Sequence, residues 1–286
     1  MKKVVIGYIY NEQNLGEDEK LFLKVAKKKG IELVFFNIED ELNEREIEEK
    51  VKRCKLIYNN SEDLLALELV KTFEDLGKRV VETSNTFYYS EDKWMFFLKC
   101  KENKIQVPET VLIPSNLKNV KQELEKFNQW PVVLKRIDKS RGRFVEKADD
   151  IEEAIAIIKK FWRKSSERIP IIAQEFVKSY CYRVFAIEGK IVQVALKEGS
   201  GWKLTGEYAK RFWRFKPDTK LKKIVKKIAK MTNTKVIGVD LLKKRNNWLA
   251  LEVNSSPDFA FFASEREELI GKVLNFLKKE AQKRRH

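Results

Sequence analysis

Two short runs near the end of the chain combine residue types that can hold a hard cation: Gly238-Val239-Asp240-Leu241-Leu242 and Leu251-Glu252-Val253-Asn254-Ser255-Ser256-Pro257. If the second run is a strand, side chains two apart share a face, so Glu252 and Asn254 present oxygens to the same ion. Asp240 belongs to the partner strand, and its side depends on the connection around Arg245 to Asn247. An odd number of loop residues places Asp240 directly opposite Glu252, and an even number turns it away. Three oxygen donors on one face, with open positions, suit Mg²⁺ held together with substrate phosphates. The plain alternative is a half-buried hairpin whose Glu and Asn point to water. The apolar neighbours of Glu252 and Asn254, together with a facing Asp, weigh against it.

Composition narrows the chemistry further. The only histidine among 286 residues is His286, which argues against a Ser-His-Asp or Cys-His nucleophile, a His-ligated zinc and a His general base. Catalysis then falls to carboxylates, Lys and Arg with a hard metal. Three cysteines, Cys54, Cys100 and Cys181, lack the spacing of a disulfide framework or zinc knuckle, and no apolar run approaches the length of a membrane span. The expected location is the cytoplasm, with no membrane partner. The formal charge is +16, but residues 1–90 carry a net of −3 and the remainder +19. A Lys/Glu-rich, thermophile-like surface accounts for much of this excess; a polyanionic partner is the other explanation.

The elements that position these residues follow from periodicity. The first ninety residues alternate strand and helix: strand 3–10, helix 17–29 stopped by Gly30, strand 31–38, a helix capped by Asn43 and Glu46 through Val51, strand 55–58, helix 62–76 and strand 79–82. This is a parallel α/β domain without Gly-x-Gly-x-x-Gly, and no Walker A motif occurs in the chain. Polar residues 83–90 mark the expected boundary. Helix 91–103 follows, and then the pattern becomes antiparallel: strands 132–135 and 143–146 around a turn at 140–142, a helix capped by Asp150, and strand 171–177. A hairpin comes next, 182–187 with 190–196 through Glu188-Gly189, then helix 221–231 and a second hairpin, 236–243 with 248–253.

Taken in order, these segments resemble the ATP-grasp enzymes, and among them the group of the ribosomal protein S6 glutamate ligase. The residues carrying the resemblance are Asp92-Lys93, the segment 105–110 (Ile-Gln-Val-Pro-Glu-Thr), Pro131 to Lys135, Gln174-Glu175-Phe176-Val177, Arg183-Val184-Phe185, Gly238-Val239-Asp240, and Glu252 through Pro257. The resemblance covers the chain from about residue 91 onward. It implies an α/β protein: a pre-ATP-grasp parallel domain (1–90), then a two-lobed α+β ATP-grasp domain with an N-terminal lobe (91–170) and a C-terminal lobe (171–286). It also implies ATP and Mg²⁺, or Mn²⁺ in its place, as cofactors. Lys93, Lys135 and Arg141 would hold phosphates, with Gln174, Glu175 and Val177 at the adenine. Asp240, Glu252 and Asn254 would ligate metal, and Arg183 with Lys135 would act on the transferred phosphoryl.

Three departures stand out. No carboxylate lies in 178–182, where relatives keep one for the ribose, and loop 137–143 has one glycine and several cations where relatives are glycine-rich. Thr205 stands where an Asn is usual, beside an acceptor side that includes Lys210, Arg211 and Arg214. The expected activity is ATP-dependent carboxylate–amine ligation through an acyl phosphate, adding glutamate or another amino acid to a carboxylate acceptor. The substrates would be small carboxylates and amines, with an anionic acceptor suited to the basic region. A kinase on the same fold is the alternative enzyme, and a basic nucleic-acid-binding protein the alternative from another class. The aromatic group Phe259, Phe261 and Phe262 either lines the acceptor pocket or packs beneath the last helix.

Overall fold

The computed structural model describes residues 3–11, 15–40, 43–138, 142, 144–164, 168–204, 208–259 and 261–283. Arg141 and Thr205, singled out above, lie outside the described residues, as does most of the turn at 140–142. Three sheets organise the described chain. The first is parallel, in the order β2-β1-β3-β4, formed by β1 (Val4–Tyr10), β2 (Ile31–Asn37), β3 (Leu56–Asn59) and β4 (Val80–Val81). Helices α1 (Glu17–Lys28), α2 (Glu44–Arg53) and α3 (Leu64–Asp75) connect its strands. Asn43 caps α2 by accepting from the Arg45 and Glu46 amides, as the sequence pattern requires.

Residues 83–90 are not an open linker. They form α4 (Ser84–Glu91), with Thr86 and Phe87 buried. The polar side chains that suggested a boundary are satisfied inside the junction: Ser84 Oγ donates to Glu74 Oε2 at 2.6 Å, and Ser90 Oγ shares a hydrogen bond with Ser255 Oγ at 3.1 Å. Buried polar groups with partners carry little penalty, so a polar run can build an interface as well as a loop.

Helix α5 (Lys93–Glu102), capped by Asp92, leads into the second sheet, in the order β5-β8-β6-β7. Its strands are β5 (Thr110–Leu112), β6 (Val132–Arg136), β7 (Val145–Ala148) and β8 (Ile171–Glu175), all antiparallel and covered by α6 (Leu117–Phe127) and α7 (Ile151–Arg163). β8 pairs with β6 along its length, so strand pairing puts the change of sheet between Glu175 and Cys181.

The third sheet, in the order β11-β10-β9-β12-β13, comprises β9 (Cys181–Ile187), β10 (Lys190–Glu198), β11 (Arg211–Trp213), β12 (Val236–Lys244) and β13 (Asn247–Asn254). Its pleat separates two faces. Val184, Ala186, Ile237, Val239 and Leu241 pack against α8 (Thr219–Thr232) and α5. Phe185 and Ile187, on the other face, join the core of the first domain. That core is closed by α9 (Arg266–Gln282), whose Leu269, Ile270, Val273, Leu274 and Leu277 pack with Ile6, Tyr8, Phe22 and Val25. Phe259 links the two parts, with ring centroids 5.5 Å from Phe22 and 5.4 Å from Phe185. No helix among the described residues is long and apolar enough to cross a membrane.

Candidate active site

The second and third sheets face each other across a cavity of about 1040 Å³ that continues to the first domain. On the third sheet, cross-strand pairing places Ala195, Arg183, Asp240 and Glu252 in one row across β10, β9, β12 and β13. The next row is Gln193, Phe185, Gly238 and Asn254.

Asp240 does sit opposite Glu252, although the connection between β12 and β13 has two residues, Arg245 and Asn246. An even loop alone would have turned Asp240 away. A bulge at Leu251 restores the alignment: Leu241 pairs with Ala250, and Asp240 with Glu252. The first hairpin carries a matching irregularity between Ile191 and Gln193. It places Ala195 opposite Arg183, so that Lys197, two residues on, shares Arg183's face.

Lys197 was not found by sequence reasoning, yet it is 3% exposed and central. Its Nζ lies 3.0 and 3.2 Å from Asp240 Oδ1 and Oδ2. Arg183 clamps the same carboxylate, Nε to Oδ1 at 2.5 Å and Nη2 to Oδ2 at 2.9 Å. Burial works against the Asp240 charge, but the two cations overcome it and hold the carboxyl well below the usual carboxylate range. Gly238 makes room for this clamp. A Cβ there would lie 2.8 Å from Arg183 Nη1 and 3.1 Å from Pro257 Cβ.

The metal-ligand candidates therefore differ in readiness. The four lone-pair positions of Asp240 are already taken up by Arg183 and Lys197. Asn254 is 8% exposed and its Nδ2 has no hydrogen-bond partner among the described residues. Glu252 and Asn254, both lining the cavity, fit a Mg²⁺ ion shared with phosphates; Asp240 fits only once a cation leaves it. Among the described residues no three His, Cys, Asp or Glu side chains converge as a ready-made metal cage.

The opposite wall supplies lysines. Lys135 Nζ donates to Gln174 Oε1 at 2.7 Å, and loss of water in the cavity pushes its ammonium down to about 8, against the pull of Glu252. Lys93, on the first turn of α5, donates to the Asp138 carbonyl at 2.9 Å. The Gln174 side chain also donates to Thr110 Oγ1 at 2.9 Å, so both ends of its amide are engaged, one of them by Lys135. Glu175 pairs with Lys244 at 2.7 Å, and the amides of Glu175 and Phe176 are bound to the carbonyls of Glu109 and Pro131. Val177 lines the cavity beyond the end of β8. Cys181 is also in the wall, but burial pushes its thiol up to about 12, which leaves it a poor nucleophile. Of the aromatic group, Phe261 lines the cavity beneath Arg183 and Lys197, at 5.7 and 5.9 Å from its centroid, whereas Phe262 packs under Arg214.

This arrangement of two facing sheets coincides with a match at the level of sequence. The pattern defining the RimK-like ATP-grasp domain matches residues 90–276. The chain belongs to the RimK-like ATP-grasp family. Relatives include a probable alpha-L-glutamate ligase of Shewanella pealeana, 23% identical over 273 residues, covering 88% of this chain and 58% of that protein. This chain thus spans about three fifths of that relative's length. A coenzyme gamma-F420-2:alpha-L-glutamate ligase of Methanocaldococcus jannaschii is 24% identical over 202 residues, 68% of each chain. Among solved structures, a RimK domain ATP-grasp protein from Sphaerobacter thermophilus aligns with a TM-score of 0.73 at 15% identity, covering 96% of this chain and 100% of that one. The D-alanine–D-alanine ligase of Bacillus anthracis aligns at 0.72 and 15%, covering 97% of each. The fold is that of the ATP-grasp ligases. These relatives do not favour the kinase or nucleic-acid readings.

Proposed function

We propose that the protein is an ATP-dependent carboxylate–amine ligase, and that its site is the cavity between the second and third sheets. The observation that carries this reading is the row Arg183, Asp240, Glu252 with Lys197, facing Lys93 and Lys135 across a space large enough for a nucleotide. ATP lies with its base beside Glu175 to Val177 and its phosphates toward the lysines. A substrate carboxylate oxygen attacks the γ-phosphorus, ADP leaves, and an acyl phosphate forms. The amine nitrogen then attacks the acyl carbon, inorganic phosphate leaves, and the amine gives up a proton as the amide forms. Lys93, Lys135 and Arg183 neutralise charge that develops on the transferred group. Glu252 and Asn254 would hold Mg²⁺, which would supply further charge neutralisation at the phosphates; Mn²⁺ would meet the same oxygen donors.

Asp240 has a double part in this reading. Without nucleotide it keeps Arg183 and Lys197 folded against the sheet. When one of those cations turns to phosphate, an Asp240 oxygen becomes available to the metal. Relatives named as glutamate ligases support glutamate as one substrate. The test is phosphate release with Mg²⁺ and ATP, with and without pooled amino acids, with products identified by mass. Amino-acid-dependent release with an amide product is expected, and Glu252→Gln should abolish it without unfolding the chain. A phosphoester product, or near-full turnover by Glu252→Gln, would overturn the assignment.

A further inference from the structure

Asn254 is aimed by its backbone, not by bonds of its own. Its side chain lies in the cavity wall, and its Nδ2 has no hydrogen-bond partner among the described residues. It is also the last residue of β13, the edge strand of the third sheet, so strand pairing holds it from one side only, through Gly238 of β12. The next residues, Ser255 to Pro257, belong to no strand or helix. Whatever fixes that turn fixes the direction of Asn254.

Two side chains from outside the sheet fix it, one on each serine. Ser90, in the last turn of α4, shares a hydrogen bond with Ser255 between the two Oγ atoms at 3.1 Å, and both residues are buried. Ser256 Oγ donates to the Asn60 carbonyl at 2.9 Å and lies 3.3 Å from Asn60 Oδ1.

Asn60 is itself firmly mounted. It follows β3, and its backbone N–H continues the pairing with β1 by donating to the Ile9 carbonyl at 3.0 Å. Its side chain is engaged at both ends: Nδ2 donates to Tyr8 OH at 2.8 Å, and Oδ1 accepts from Tyr58 OH at 3.1 Å. Both tyrosines are enclosed in the core that the first domain shares with α9. Asn60 also lies outside residues 90–276, the extent of the family match.

We propose that Asn60 and Ser90 are positioning residues, which hold Ser256 and Ser255 and through them aim Asn254 at the ion that it would share with Glu252. Groups that orient a metal ligand commonly govern metal affinity by about 10- to 100-fold while touching neither metal nor substrate. The proposal rests on the ligase reading and goes beyond it, because the metal end of the site is then completed by the first domain and its junction.

The test measures AMPPNP binding to the full chain by calorimetry, once with Mn²⁺ and once with EDTA. An ion that the chain helps to hold must tighten the nucleotide that shares it. In the wild type Mn²⁺ should tighten AMPPNP more than tenfold. Ser256→Ala should lose about tenfold in affinity with Mn²⁺ and stay within twofold of wild type in EDTA. Ser256→Thr keeps the hydroxyl and should retain the wild-type affinity in both. Ser90→Ala combined with Ser255→Ala removes both buried hydroxyls together, leaving neither unpaired, and should behave as Ser256→Ala does. Melting temperature reports folding; if the double variant does not fold, the half-buried Ser256 decides alone.

Folded variants that keep the full Mn²⁺ effect, or that weaken equally in Mn²⁺ and EDTA, would overturn the positioning role and leave the ligase intact. So would a loss in Ser256→Thr as large as in Ser256→Ala. A wild type in which Mn²⁺ fails to tighten the nucleotide would overturn the metal end of the ligase reading and this inference with it.

Discussion

Raising the pH should weaken ATP binding well before the protein's ordinary lysines titrate. Lys135 is held at about 8 by its burial in the cavity wall, against 10.5 for a free side chain, a difference worth about 3 kcal/mol. Phosphate binds the ammonium form and restores its ordinary value, so above about 8 each bound nucleotide must first recover a proton. If the bound state titrates near 10.5, affinity falls about 30-fold between pH 7 and 9.5. The free protein responds in the opposite direction. Its folded state sheds the Lys135 proton before the unfolded chain does, so the cost of enclosing that charge is present in full below 8 and fades as pH climbs toward 10.5. Over that window the unfolding free energy gains up to about 3 kcal/mol from this group. Calorimetric titration with the non-hydrolysed pair Mg²⁺ and AMPPNP, at half-unit steps from pH 7 to 9.5, measures the binding side. Lys135→Arg, charged throughout, should bind with little pH dependence, and Lys135→Met should bind weakly and equally flatly. A wild-type affinity constant to pH 9.5, or the same slope in the arginine variant, would refute the link between Lys135 and the phosphates.

Further outcomes follow from other contacts. Gly238→Ala should press the Arg183 guanidinium off Asp240, lowering kcat at least tenfold and, because it loosens a buried ion pair, lowering the melting temperature as well. Asp240→Asn leaves Arg183 and Lys197 together without their counter-charge and should cost about 3–5 kcal/mol in denaturant unfolding. Glu82 accepts from the Lys235 and Val236 amides at the root of β12, and burial pushes it up to about 8 against those bonds. Its folded state keeps a proton that the unfolded chain loses near 4.5, so stability declines as pH rises from there to about 8, and Glu82→Gln should flatten that decline in thermal melts. Phe259→Ala, which removes a ring wedged between Phe22 and Phe185, should cost about 3–5 kcal/mol.

The parallel first domain was legible because its helices carry clear apolar stripes, caps and glycine stops, as at Asn43 and Gly30. The antiparallel hairpins were legible from turns such as Glu188-Gly189, where both residues adopt positive φ. The set of facing residues was not. Strand alternation counts residues, and a bulge adds one without leaving a mark in the sequence. The irregularity at Leu251 turned an even loop into an odd register, and the one before Gln193 moved Lys197 onto the working face. Residues 83–90 misled for a different reason. Ser and Thr signal turns when solvated, and serve equally as buried bridges when partners await them, which only the packed junction reveals.

The return of α9 to the first domain sets an order of assembly. Its Gly271 packs against Val25 of α1 and Lys29 just beyond it, and Lys278 Nζ reaches the Lys29 carbonyl, so partners lie some 240–250 residues apart. Until that helix arrives, β1 and α1 have one wall open. Closing so long a loop is entropically slow, and contacts of this range delay folding. The first ninety residues are therefore not a module that can be lifted out with its core intact. Cut before Arg266, they would show the apolar flank that Leu269, Ile270, Val273 and Leu277 cover, and would seek a substitute helix from a neighbouring chain.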